Sequence, residues 1–143
     1  MNIDSKYISK LVSVAKECFD WGEIPVSSCI ISNSGKLISI CGNSRQLENS
    51  VINHAEISCI VEAEKSLGDW RLNGYYLIST LEPCDMCCSV IKECRLDKVF
   101  YLVERSGDSI FDDNYISKEL ISGYEFEKEE LRILLTSFFE DRR

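Results

Sequence analysis

Two short segments constrain this chain more than anything else in it. His54-Ala55-Glu56 and Pro83-Cys84-Asp85-Met86-Cys87 each follow a strand or loop, and each stands where a helix begins. Residues 54–67 carry Ala55, Ile57, Ile60, Val61 and Leu67 among Glu and Lys, an amphipathic helical pattern that Gly68 ends. Cys84 to Cys94 reads as a second core helix, with Pro83 at its entry, where the missing N–H costs nothing. A fold that suits both segments must bring two helix tips together.

The remaining pattern alternates helix and strand, which predicts a sheet covered by helices, an α/β fold. Residues 5–20 place Tyr7, Ile8, Leu11, Val12, Val14, Ala15 and Phe19 at helical spacing, with Gly22 as the stop. Val26 to Ser32 is a buried strand. Asn33-Ser34-Gly35 turns it into a second strand that begins at Leu37 to Ile40, so the two form a hairpin. Tyr75 to Thr80 and Lys98 to Val103 are the third and fourth strands. Residues 106–123 read as loop with a short helical piece, Tyr124 to Glu127 as a short fifth strand, and 128–140 as a closing helix.

The length, 143 residues, suits a single domain over 1–143 with a core that needs no disulfide staples. No apolar run reaches the roughly 18 to 20 residues that span a bilayer. The beginning, Met1-Asn2-Ile3-Asp4-Ser5-Lys6, lacks the basic-then-apolar pattern of a signal peptide, so the expected compartment is the cytoplasm and no membrane is involved. In that setting the eight cysteines point to metal or catalytic use rather than disulfides, with most of them packed as small hydrophobes, Cys88 and Cys94 among these. The net charge of −8 makes the chain as a whole a poor partner for phosphate backbones.

Zinc binds thiolate and imidazole, and a Cys-x-x-Cys pair on the first helical turn can aim both sulfurs at one ion. Helix N-termini favour thiolate over thiol. His54 is the only histidine in the chain, so an all-histidine site is excluded. His54, Cys84 and Cys87 make three ligands, the number that leaves a catalytic zinc its fourth position. Glu56, two residues beyond His54, can reach water at that open position without ligating the ion, and can pass a proton to the leaving amine of an amidine-like carbon. The bland readings are a core histidine, a solvated surface acid and a redox cysteine pair, but a redox pair needs neither His54 nor Glu56. Asp85 reads as an exposed capping acid.

The ordered string His-x-Glu then Pro-Cys-x-x-Cys is the signature of zinc deaminases. From about Ala15 to Val103 the chain resembles the bacterial tRNA-specific adenosine deaminases, within the cytidine and deoxycytidylate deaminase superfamily. Glu23-Ile24-Pro25-Val26, Gly68-Asp69-Trp70-Arg71-Leu72, Thr80-Leu81-Glu82-Pro83-Cys84 and Leu135-Thr136-Ser137-Phe138-Phe139 carry the likeness beyond the zinc motifs. The resemblance implies a three-layer α/β/α sandwich around a five-stranded mixed sheet, of the cytidine deaminase-like kind. It also implies a homodimer in which the second copy helps build each site. By the same likeness Asn43 hydrogen-bonds the base, and Val26 and Ala55 lie at pocket positions beside it; without the family, Gly42-Asn43-Ser44 is equally a turn. The chain departs from the family at Ser27-Ser28, at Val51-Ile52-Asn53, and at Glu104-Arg105-Ser106-Gly107-Asp108, which replaces a Gly-rich, Lys-containing loop. Arg142 and Arg143 are the one basic cluster at the end.

Three functions fit. The first is a Zn2+-dependent hydrolase that converts adenosine to inosine at the wobble position of a tRNA anticodon loop. The second is a deaminase of a small free base or nucleoside, cytosine or guanine for example, which suits the acidity and the altered loop. The third is a silent heterodimer partner with structural zinc, a role in which the acid–base Glu is typically lost, whereas Glu56 is present.

Overall fold

The computed structural model describes residues 3–141; the Arg142-Arg143 cluster lies outside them. The elements run α1 (Ser5–Asp20), β1 (Ser27–Ser32), β2 (Leu37–Gly42), α2 (Ala55–Leu67), β3 (Tyr75–Leu81), α3 (Asp85–Glu93), β4 (Lys98–Val103), β5 (Lys118–Leu120) and α4 (Glu125–Asp141). Asp4 caps α1, its carboxylate accepting from the Lys6 N–H at 3.0 Å. Gly68 ends α2 in the left-handed conformation, φ 70°, returning its N–H to the Glu64 carbonyl.

The strands form one mixed sheet in the order β2-β1-β3-β4-β5. The β1 strand is antiparallel to β2 and β3, while β4 is parallel to β3 and β5. Alternate residues along each central strand point to opposite faces and create two cores. Cys29, Ile31, Ile78, Phe100 and Leu102 face α1 and α4, joining Ile8, Leu11, Ala15 and Leu131. Ile30, Leu77 and Val99 face α2 and α3, joining Ile57, Ile60, Ala63, Cys87 and Ile91. The expected α/β/α sandwich around a five-stranded sheet is the observed architecture.

The fifth strand is not where the sequence places it. Tyr124 has φ 57° and follows Gly123 at φ 82°, so the chain reverses there and α4 starts at Glu125. The strand is Lys118–Leu120, paired with Val99, Phe100 and Tyr101. Parallel pairing demands a long crossover, and residues 104–117 make it without any helix, correcting the helical piece expected in 106–123. The crossover is pinned to α3 instead. Asp85 accepts from the Ser109 hydroxyl at 2.5 Å and the Ile110 N–H at 2.9 Å, and Lys92 donates to the Tyr115 carbonyl at 3.0 Å. No described helix is long and apolar enough to cross a membrane.

Candidate metal centre and its cavity

The parallel β3-α3-β4 unit and the entry to α2 place two helix N-termini side by side. His54 is the N-cap of α2 and Cys84 the N-cap of α3, both with extended backbone, and Cys87 sits one turn into α3. The His54 Nδ1 lies 3.4 Å from the Cys87 Sγ and 3.7 Å from the Cys84 Sγ. All three ligand atoms fall within 4.8 Å of one another. Tetrahedral zinc with ordinary Zn–N and Zn–S bond lengths puts N and S about 3.6 Å apart, so the spacing and the donor set both fit that ion.

The electrostatics fit as well. The Cys84 thiol is pushed down to about 3, first by the hydrogen bond from Cys87 and then by that from His54, against the effect of burial. The reciprocal bond and burial push Cys87 up. The pairing that favours the Cys84 thiolate is what a divalent cation would replace, releasing the Cys87 proton. The hydrogen bond with Cys84 raises His54. Burial raises Glu56, which is 3 % exposed, opposed first by its own backbone N–H and then by the nearby His54 and the Cys87 thiol.

His54, Glu56 and Cys84 open onto a cavity of about 640 Å³, while Cys87 is fully buried beneath them. Asn43 and Val26 line this cavity, and Ala55 is fully buried at the start of α2. The wall has parts that sequence reasoning missed. The segment after β4 contributes Glu104, Arg105 and Ser106, and α4 contributes Arg132, Leu135, Thr136 and Phe139. Those α4 residues recur at one-face helical spacing, the signal that could have revealed them. Arg45 lines the cavity too, near enough for its charge to oppose protonation of His54.

The remaining cysteines behave as packed thiols, and all eight are free. Cys88 donates to the Pro83 carbonyl and Cys94 to that of Ile91. Ser27 and Ser28 are fully buried and satisfied. The Ser27 hydroxyl donates to the Leu11 carbonyl at 2.5 Å, and the Ser28 hydroxyl donates to that of Ser79 at 2.9 Å, tying β1 to α1 and β3.

Residues 1–103 match the family model described as the cytidine and deoxycytidylate deaminase zinc-binding region. The tRNA-specific adenosine deaminase of Bacillus subtilis (strain 168) is 39% identical over 101 residues, which are 71% of this chain and 62% of that relative. The protein of the same name from Rickettsia felis is 32% identical over 132 residues, 85% of this chain and 90% of the relative. A structure from a study of A-to-I editing by tRNA:A34 deaminases at the wobble position of transfer RNA superposes with a TM-score of 0.80 at 25% identity, covering 92% of this chain and 100% of that one. Guanine deaminase from Bacillus subtilis superposes with a TM-score of 0.66 at 31% identity, covering 73% and 66%. A His-Cys-Cys triangle at two helix tips, a buried glutamate beside it and a family model spanning both motifs place this chain in the cytidine and deoxycytidylate deaminase zinc-binding family.

Proposed function

We propose that all 143 residues act as one catalytic domain that hydrolyses adenosine to inosine at the wobble position of a tRNA. His54, Cys84 and Cys87 hold zinc, which supplies Lewis acidity that draws the pKa of water toward neutrality. Glu56 accepts a proton from water at its carboxylate and delivers protons to the purine ring nitrogen and the departing amine. The water oxygen becomes the carbonyl of inosine, the C–N bond breaks and ammonia leaves. Val26 and Asn43 receive the base from the cavity wall, with Ala55 buried at the start of α2.

The observation that carries the substrate class is the cavity's charge. Although the chain bears a net −8, Arg45, Arg105 and Arg132 all line the cavity, against Glu104 and the buried Glu56. Guanidinium groups from three separate segments suit phosphates flanking an extruded base. The names of the relatives point the same way. A homodimer accompanies this reading, supported by the exposed apolar Leu47, Val51 and Ile52 on the loop that leads to His54, and the cytoplasm is the compartment. A second reading, deamination of free guanine, rests on the 31% identity to guanine deaminase. Zinc-loaded protein should be given an anticodon stem-loop with adenosine at the wobble position, beside free guanine, cytosine and adenosine. Inosine in the RNA is the expected product; ammonia from free bases alone would discard the first reading.

A further inference from the structure

Glu23 precedes β1 and is 2 % exposed, yet no cation pairs with it among the described residues. Three N–H donors converge on its two oxygens. The Leu47 backbone N–H donates to Oε2 at 2.7 Å, and the Gln46 backbone N–H and Asn43 Nδ2 donate to Oε1 at 3.0 and 3.2 Å. A carboxylate only accepts, so the arm of the Asn43 carboxamide that faces it must be the nitrogen. The backbone of Asn43 is held independently. Its N–H donates to the Val26 carbonyl at 3.0 Å, and the Cys18 thiol donates to its carbonyl at 3.7 Å. Only the side-chain torsions of Asn43 remain to be set, and Glu23 sets them.

We propose that Glu23 is a positioning residue that acts through Asn43: it fixes which end of the Asn43 amide meets the base, and ties down the adjoining loop that carries Arg45. The inference rests on the placement of Asn43 against the base in the proposed function. A glutamine of the same size cannot substitute, because either orientation of its amide turns an N–H2 toward a donor. Aspartate keeps the acceptors but is one methylene too short to hold all three.

The test uses the zinc-loaded 143-residue chain with Glu23→Gln, Glu23→Asp, Asn43→Ala and the double variant Glu23→Gln/Asn43→Ala. In 1H–15N spectra, Asn43→Ala identifies the side-chain amide pair of Asn43. That pair should be well separated in the wild type and collapse toward the free-amide position in Glu23→Gln. On whichever substrate the wild type deaminates, Glu23→Gln should raise KM by about tenfold with kcat within about twofold, and should add less than about twofold once Asn43 is alanine. A merely structural role would instead lower kcat through an inactive fraction, leave KM unchanged, and add in full to Asn43→Ala. Either that pattern or an unchanged Asn43 amide pair overturns the proposal. Glu23→Asp, with intermediate values expected, serves by the same criteria should Glu23→Gln fail to fold. The amide readout needs no substrate, so failure of RNA turnover leaves it standing; normal RNA turnover with an unmoved amide refutes Glu23 alone.

Discussion

Replacing Gly42 with alanine tests how closely the end of β2 must approach α1 for Asn43 to reach the cavity. A Cβ built on Gly42 lies 2.3 Å from the Cys18 Sγ and 3.1 Å from the Val14 Cγ1. The backbone φ is not positive, so the penalty is steric rather than conformational. Cys18 is 4 % exposed and its sulfur rests 3.7 Å from the Asn43 carbonyl and 3.9 Å from that of Val26, so its retreat would break both contacts and disturb a buried site. Overpacking of a dense core costs about 1–3 kcal/mol, and a contact this short belongs at the upper end. At roughly 4 °C per kcal/mol for a chain of this size, Gly42→Ala should lower Tm by about 10 °C. Cys18→Ala removes the offending atom and leaves only the 3.1 Å approach, which a few tenths of an ångström relieves. In that background Gly42→Ala should cost less than about 1 kcal/mol. Urea unfolding of the wild type, both single variants and the double variant gives the coupling, expected near 2 kcal/mol. Strictly additive losses would refute the claim that the Cys18 sulfur sets the approach.

Glu56→Gln should reduce turnover by about 10²- to 10⁴-fold while zinc content, read by metal analysis, stays at the wild-type level; substantial residual activity would remove Glu56 from the acid–base role. Cys87→Ala should lose both zinc and folding stability, whereas Cys88→Ala, on the same helix turn but bonded to Pro83, should keep its metal. The alkaline limb of stability should respond to Lys118. Burial alone would lower its pKa, but the Glu82 carboxylate at 2.6 Å outweighs burial and raises it above 10.5. The pair's contribution is therefore complete below 10.5 and fades as pH climbs through the raised value. Denaturation midpoints followed across that range should fall more steeply for the wild type than for Lys118→Met.

The metal centre was legible because chemistry and local structure coincide in it. His54 and Cys84 sit at helix starts that amphipathic spacing and Pro83 mark independently, and the structure brings their ligand atoms together. The central strands were legible because β1 and β3 are largely buried on both faces and carry the apolar stretches Cys29-Ile30-Ile31 and Tyr75-Tyr76-Leu77-Ile78. The fifth strand was not. Lys118-Glu119-Leu120 is a largely exposed edge with no apolar alternation, and its strand character comes from the partner β4, not from its own residues. Its ion pairs, Lys118 with Glu82 and Lys98 with Glu119, are visible only once the register is known. Glu23 was noticed in the sequence solely as part of a resemblance. Nothing local distinguishes a buried acid that gathers three donors from a solvated one, since those donors lie 20 to 24 residues away.

Neither His54 nor Cys84 makes the side-chain bond to its own helix that an N-cap residue usually supplies, although serine, threonine, asparagine or aspartate there stabilises a helix by about 1 kcal/mol. The chain has given up that closure at both ends that matter. With the proposed ion in place, one cation organises the first turns of two helices at once, so loading the metal and finishing the fold become a single event. A protein starved of zinc would then fray from its centre outward, with the sheet intact and the catalytic floor undone.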